Sequence, residues 1–145
     1  MCTGIRLKCA NGYVSGRTAE FGALLEYQVL FLPAGMELSS PLGKSTGKSW
    51  TSTRPALGTA TFGAMCVMDG INDAGLAAAA FYFAGQANYA NAAQTDPLRS
   101  LNASQLPNYL LTTCSTIDEA LAALSDITVV NVPVDGWGPV APPLH

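Results

Sequence analysis

The sequence predicts an α+β domain, with an antiparallel sheet in its first half and helices in its second. Residues alternate between two faces from Thr3 to Lys8, as in a strand. Glycines and prolines then divide the first half into short segments that suit strands. After Thr116, a capping-box spacing precedes apolar residues of helical period. The 145 residues suit one domain, which we expect to span 1–145.

The first predicted element is a β-hairpin between Cys2 and Arg17. Its first strand should be half-buried, because Thr3, Ile5 and Leu7 alternate with Gly4, Arg6 and Lys8. The dipeptide Asn11-Gly12 is a typical hairpin turn, after which 13–17 forms the return strand. With an even-numbered loop, even positions of the first strand face odd positions of the second. Cys2 and Arg17 then project from the same face.

Further strands follow the hairpin. Residues 27–32 predict a strand that ends at Pro33, whereas 38–55 are rich in Ser, Thr, Gly and Lys and predict an exposed loop. Two more strands, 62–68 and 76–83, flank the segment 69–75, whose Gly, Asn and Asp content predicts a tight connection. Together these segments favour a central antiparallel sheet.

Two helices are predicted in the last third of the chain. Ser104 is expected to cap the first, with Pro107 in its first turn. The second begins with the capping-box pair Thr116 and Glu119, followed by a face made of Ile117, Ala120, Leu121 and Leu124. Residues 129–134 then predict a strand.

Composition and charge exclude several classes of partner. The net charge of -3 and seven scattered basic residues argue against nucleic acid and anionic membrane surfaces. The longest apolar run, 75–85, is well short of the roughly 20 residues of a membrane span. The N-terminus lacks the pattern of a secretory signal, so we expect a cytoplasmic protein. The 12% charged fraction is low for a soluble domain, which indicates apolar surface covered by a partner or by further chain, unless the domain is simply rich in Ala and Gly.

The cysteines and the single histidine do not suggest a metal site. Cys2, Cys9, Cys66 and Cys114 include no CxxC pair, and His145 is the last residue. We therefore expect neither a metal nor another cofactor. Three of the cysteines are interpreted as reduced, small apolar residues, and Cys2 is the exception.

Cys2 has the chemistry of an N-terminal nucleophile. Removal of Met1 would leave one residue with both a thiol and a free α-amine, groups that titrate at about 8.5 and about 7.7 to 8.0. The amine can then replace the histidine of a conventional catalytic dyad. A guanidinium from Arg17 on the same face would favour the thiolate and the neutral amine.

Four spaced segments carry a family resemblance. Met1 to Gly4, Gly16 to Thr18 followed by an acidic residue, 69–76 and 108–111 resemble the choloylglycine hydrolase family, which includes penicillin V acylases. The resemblance implies the αββα fold of N-terminal nucleophile hydrolases, here incomplete because the chain matches only the N-terminal part. It also implies a small-molecule amide substrate, such as a conjugated bile salt, penicillin V or another acyl amide.

The resemblance assigns roles to four residues. Cys2 would attack the amide carbonyl, and Arg17 would orient and polarise this nucleophile. Glu20 stands where the family usually has an aspartate that helps to hold the terminal amine. Tyr82 stands where bile-salt hydrolases usually have an oxyanion-hole asparagine and where penicillin V acylases can have tyrosine, which favours the acylase side. Its side chain or its backbone N–H would supply the oxyanion donor.

Two alternatives remain open. In the family, a second oxyanion-hole asparagine and a further arginine lie beyond the position of His145, so the chain is also interpreted as a truncated, non-catalytic fragment or subunit. Such a chain would associate through apolar surface, with itself as a homo-oligomer or with the missing C-terminal portion. The other alternative is a nucleotide-binding loop at 42–49. It lacks the first glycine of the motif and is followed by poor helix material.

Overall fold

The structure is a computed structural model that describes residues 2–22, 24–61, 65–134, 139 and 141–144. Its strands are β1 Gly4–Cys9, β2 Gly12–Arg17, β3 Gln28–Leu32, β4 Glu37–Leu42, β5 Ser45–Thr51, β6 Ala56–Ala60, β7 Val67–Asn72, β8 Ala77–Ala79, β9 Ser100–Asn102 and β10 Thr128–Val130. Its helices are α1 Leu106–Thr113 and α2 Ile117–Ser125, and short 3-10 turns cover Ala92–Gln94, Pro97–Arg99 and Ala103–Gln105. The α+β class is therefore confirmed.

A four-stranded antiparallel sheet with the order β3-β6-β7-β8 forms the centre of the molecule. One of its faces packs against α1, where Leu32, Ala56 and Val67 form a buried cluster with Leu111. Gly70 allows this close approach, since a Cβ atom there would lie 2.8 Å from Leu111 Cδ1. The predicted central antiparallel sheet is confirmed.

The opposite face of this sheet is exposed. Phe31 pairs with Leu57 and Leu57 with Ile71, so the three side chains form a row across β3, β6 and β7. These residues and Val29 are each at least half exposed. We call Val29, Phe31, Leu57 and Ile71 the uncovered face, because no described part of the chain buries it.

The hairpin β1-β2 has the predicted register but not the predicted burial. Gly4 pairs with Arg17 and Cys9 with Gly12, so even positions face odd ones. The two-residue loop is Ala10-Asn11, one residue earlier than predicted, with Gly12 at a φ of 141°. The prediction of a half-buried strand is wrong for the described chain: the apolar residues on both strands are more than half exposed, namely Ile5, Leu7, Tyr13 and Val14.

Residues 38–55 form a second hairpin, so the prediction of an exposed loop is wrong. Strands β4 and β5 join at Gly43, which has a φ of 71°. Trp50 on β5 is buried, donates from Nε1 to Thr112 Oγ1 at 3.0 Å and packs edge to face against Tyr109. The polar composition of the segment hid this burial. The hairpin also excludes the nucleotide-binding loop at 42–49, because that motif requires a loop that leads into a helix.

The strands around β7 differ from the prediction in their bounds. Strand β6 was not predicted, and the strand predicted at 62–68 begins only at Val67, while 62–64 lie outside the described residues. The connection predicted at 69–75 is wrong, since 69–72 belong to β7 and the turn is confined to Asp73 and Ala74 before Gly75, which has a φ of 81°. Strand β8 is shorter than the predicted 76–83.

The helices were predicted more closely. Helix α2 has the predicted capping box: Thr116 Oγ1 accepts from the Glu119 N–H at 3.2 Å, and the Glu119 carboxylate accepts from the Ser115 N–H at 2.6 Å. Ser104 does not cap α1, because it lies inside a 3-10 turn that Asn102 caps at 3.0 Å. Strand β10 covers 128–130, so it includes only 129 and 130 of the predicted 129–134, and it pairs in parallel with β9. Neither α-helix has the length and apolar character needed to cross a bilayer.

Candidate active site

Arg17, the last residue of β2, connects the exposed hairpin to the central sheet. Its Nη1 donates to Asp69 Oδ2 on β7 at 3.2 Å, and its Nη2 donates to the carbonyl oxygen of Ala80 at 2.7 Å. The guanidinium carbon also lies 4.9 Å from the centre of the Phe81 ring. Two hydrogen bonds in different directions and one aromatic face therefore fix the plane of the guanidinium.

The charges around Arg17 are partly withdrawn from solvent. Burial raises the pKa of Asp69, and the Arg17 guanidinium partly opposes this by favouring the ionised carboxylate. Arg17 Nε is buried and donates to none of the described residues. The guanidinium thus retains one N–H direction that neither Asp69 nor Ala80 uses.

Phe81 packs between the start of β1 and Arg17. A Cβ atom on Gly4 would lie 2.7 Å from the Phe81 ring, so only glycine allows the ring to approach this close to the backbone. The same ring contacts the Arg17 guanidinium. The contacts of Gly4 and Arg17, which are cross-strand partners, therefore place this end of the hairpin against the segment after β8.

Cys2 lies just before β1 and is half-buried. The backbone that follows it is held by Thr18: the Thr3 N–H donates to Thr18 Oγ1 at 3.0 Å, and the Thr18 N–H donates to the Thr3 carbonyl oxygen at 2.9 Å. Thr18 Oγ1 in turn donates to Glu20 Oε1 at 3.2 Å. The Glu20 carboxylate is therefore linked through one hydroxyl to the residue that follows Cys2.

Tyr82 follows the same segment after β8. Its ring packs edge to face against Phe21, with the ring centres 5.4 Å apart. Tyr82 also forms an isolated antiparallel bridge with Leu144, next to the hydrogen bond from the Phe83 N–H to the Pro143 carbonyl at 2.8 Å. Tyr82 is therefore held between the segment that carries Glu20 and the last described residues of the chain.

A shallow cleft of about 310 Å³ opens beside Phe83, the residue after Tyr82. Phe83, Gln86, Ala87 and Leu144 line it, and its walls are mostly apolar. Tyr89 fixes the far wall, because its hydroxyl donates toward the carbonyl of Leu144 at 2.9 Å and accepts from the Leu144 N–H at 2.8 Å. Such a cleft suits an apolar group better than a charged one.

The other cysteines have no comparable surroundings. Cys66 and Cys114 are buried, and burial raises the pKa of the Cys66 thiol, which keeps it protonated and inert. Cys9 is exposed near the hairpin turn. In the part of the chain that the structure describes, no three His, Cys, Asp or Glu side chains are grouped so that they could hold a metal ion.

One short segment relates Arg17, Tyr82 and, less directly, Glu20. Ala80 and Phe81 contact Arg17, and Tyr82 packs against Phe21, next to Glu20. Cys2 is related to the site through the backbone of Thr3, which Thr18 holds. Asp69 was missed by the sequence analysis, which interpreted it as part of a turn. The signal that could have found it is an ionisable residue inside a strand whose neighbours Val67 and Met68 are buried.

The linear amide C–N hydrolases of the choloylglycine hydrolase family match residues 2–145, nearly the whole chain. The chain belongs to this family. No curated protein sequence matches it.

Several solved structures have a similar fold. A cysteine-to-alanine variant of the conjugated bile acid hydrolase from Clostridium perfringens matches all of this chain with a TM-score of 0.80 and 22% identity. An arginine-to-leucine variant of the same enzyme matches 82% with a TM-score of 0.65 and 21% identity. Penicillin V acylase from Agrobacterium tumefaciens matches 82% with a TM-score of 0.62 and 20% identity. The chain spans 44%, 35% and 41% of these three chains, respectively.

Proposed function

We propose that the protein hydrolyses linear amides, with the thiol of Cys2 as nucleophile and the α-amine of the same residue as base after Met1 is removed. The observation that carries this proposal is the fixed guanidinium of Arg17 at the end of the hairpin that begins at Cys2. Two hydrogen bonds and an aromatic ring hold this cation in place, next to the strand that follows Cys2. Membership of a family of linear amide C–N hydrolases supports the same reaction.

In the proposed reaction, the thiol proton passes to the α-amine as the sulfur adds to the amide carbonyl carbon. The carbonyl oxygen becomes an oxyanion, which a donor at Tyr82 would stabilise. The C–N bond then breaks, and the leaving amine takes a proton from the α-ammonium group. Water hydrolyses the remaining thioester, which releases the carboxylic acid and restores the thiol.

Glu20 has a positioning role in this proposal. Its carboxylate would hold the protonated α-amine, with Thr18 as the link that orients it. The side chain has one methylene more than the aspartate usual in the family. Because Thr18 fixes Glu20 Oε1 beside Thr3, the other carboxylate oxygen is the one that would reach the amine.

The proposed substrate is an N-acyl amide with an apolar acyl group. The cleft beside Phe83 is lined mainly by apolar atoms, which suits an aromatic or steroid-like acyl group rather than a charged one. The names of the structurally similar enzymes point to conjugated bile acids and to penicillin V. Tyr82, as the counterpart of the oxyanion-hole residue, favours penicillin V.

Replacement of Cys2 tests the nucleophile. Hydrolysis of penicillin V and of a glycine-conjugated bile salt should fall to background in Cys2→Ala, while Cys9→Ala, which removes the other accessible cysteine, should retain wild-type activity. Intact mass should show loss of Met1 in both proteins. Activity in Cys2→Ala, or a retained Met1 in an active protein, would exclude the mechanism.

A second candidate function is assembly through the uncovered face. Four apolar side chains at least half exposed on one sheet face would favour association with a second copy or with further chain of the same enzyme. In sedimentation velocity, the 145-residue chain should associate, and Phe31→Lys should shift it toward monomer. Leu98→Lys changes an even more exposed apolar residue away from this face and should have no effect. A monomeric wild-type chain would contradict association with a second copy.

A further inference from the structure

We propose that Asp69 is a positioning residue, which holds the Arg17 guanidinium in the orientation that the nucleophile requires. The inference rests on the proposed function, and it adds a residue of β7 to a site otherwise built from the hairpin and the segment after β8. Asp69 would not contact the substrate. It acts through Arg17 alone.

Among the contacts of Arg17, the one with Asp69 restrains the rotation of the guanidinium. The Ala80 carbonyl and the Phe81 ring restrain one nitrogen and one face of the guanidinium, but these two contacts leave rotation about the Nη2–oxygen direction open. The hydrogen bond from Nη1 to Asp69 Oδ2 at 3.2 Å removes that freedom. The direction of the remaining donor, Nε, is then set by Asp69 as well.

The ionised carboxylate of Asp69 costs free energy, because its surroundings partly remove it from water. Burial raises its pKa, so an apolar residue in this strand would avoid a desolvation cost. On β7, Asp69 pairs with Thr59 of β6 and Ala79 of β8, which are uncharged. Within the described structure, the charge of Asp69 therefore interacts favourably with one group, the Arg17 guanidinium.

A second ion pair of the chain provides a matched control. Arg54 Nη1 donates to Asp73 Oδ1 at 2.7 Å, and Asp73 follows the far end of the same strand β7. This pair is also aspartate with arginine, and the hydrogen bonds of Arg54 go to Asp73 and Ser115, which are not residues of the candidate site. Asp73→Ala therefore removes an ion pair of the same kind without changing the candidate site.

The test compares Asp69→Ala, Asp69→Asn and Asp73→Ala in the full-length protein with penicillin V as substrate. We expect Asp69→Ala to lower kcat by about tenfold or more while KM stays within about twofold, because Arg17 acts on the nucleophile rather than on substrate binding. Asp69→Asn should lose less, since its amide oxygen still accepts from Nη1. Asp73→Ala should have wild-type kcat.

The double variant separates positioning from folding. If Asp69 acts through Arg17, then Asp69→Ala should cause no further loss of kcat in an Arg17→Ala background. A full additional loss there, an unchanged kcat in both Asp69 variants, or a higher KM at constant kcat would overturn the proposal. If Asp69→Ala does not fold, the isosteric Asp69→Asn decides by the same criteria. Failure of the proposed function is recognised separately, as activity that survives Cys2→Ala.

Discussion

Asn72 donates from its Nδ2 to the carbonyl oxygen of Leu111 at 2.9 Å, which ties the end of β7 to the C-terminal end of α1. The same nitrogen donates to the Cys114 carbonyl at 2.7 Å. Its Oδ1 accepts from the N–H groups of Ala74 and Leu76, which closes the turn after β7. One buried amide therefore satisfies four backbone groups, and it joins two of the segments that carry the family resemblance.

Replacement of Asn72 should strongly destabilise the fold. Asn72→Ala removes all four hydrogen bonds at a buried position and leaves two carbonyls of the helix end without their donor. We expect a loss of about 3 kcal/mol in the free energy of unfolding. In a thermal scan, the midpoint should fall by roughly 10 °C.

Asn91 is the control for this prediction. It is exposed, and its side chain accepts one hydrogen bond, from the Ala93 N–H at 3.0 Å. Asn91→Ala should therefore cost no more than about 1 kcal/mol. Equal losses in the two variants would mean that the four bonds of Asn72 stabilise the fold no more than the single bond of Asn91.

The sequence predicted best those elements whose signals are local. The capping box of α2 depends on Thr116 and Glu119, three residues apart, and the structure has it. The β4-β5 hairpin was missed because contacts with distant parts of the chain bury Trp50, for example those with Leu101 of β9 and Thr112 of α1. The polar composition of 38–55 alone therefore predicted an exposed loop.

The same distinction applies to the candidate site. Cys2, Arg17, Glu20 and Tyr82 were predicted from motifs and from the family resemblance, and their roles remain predictions. Asp69 could not be predicted as a partner of Arg17, because the two residues are 52 positions apart and meet only when the hairpin packs on the sheet. Periodicity contains no information about such a contact.

Glu119 should make the stability of the chain depend on pH. Its pKa lies below the ordinary value of 4.5, chiefly because the Ser115 backbone N–H donates to the carboxylate. The stabilisation is therefore fully present above pH 4.5 and is lost as the pH falls through the lower pKa of the folded state.

Glu119→Gln tests this linkage, because it keeps an acceptor but removes the titration. The melting temperature of the wild type should exceed that of Glu119→Gln at pH 7, and the difference should shrink below pH 4.5. Asp118→Asn, which removes a charge from the same turn of α2 but leaves the bond between Glu119 and Ser115, is the control variant. A constant difference from pH 7 to pH 3 would contradict the argument.

Glu20 should tolerate aspartate but not glutamine. If its carboxylate holds the α-ammonium group, Glu20→Gln removes the charge and should lower kcat by about tenfold. Glu20→Asp keeps the charge and should retain at least half of the wild-type kcat, as measured with penicillin V. Glu26→Gln, which neutralises a nearby exposed carboxylate, should leave kcat unchanged. Full activity in Glu20→Gln would remove Glu20 from the site.

Tyr82→Phe distinguishes the two donors that position 82 offers. The substitution keeps the ring that packs against Phe21 and the backbone bridge with Leu144, and it removes only the phenolic hydroxyl. If the hydroxyl stabilises the oxyanion, kcat should fall by about 100-fold, with KM and the melting temperature nearly unchanged. If the backbone N–H is the donor, Tyr82→Phe should be nearly as active as the wild type. Tyr27→Phe, which removes an exposed hydroxyl outside the site, should be active in either case. A loss of activity with a matching loss of thermal stability would instead assign Tyr82 to the packing against Phe21.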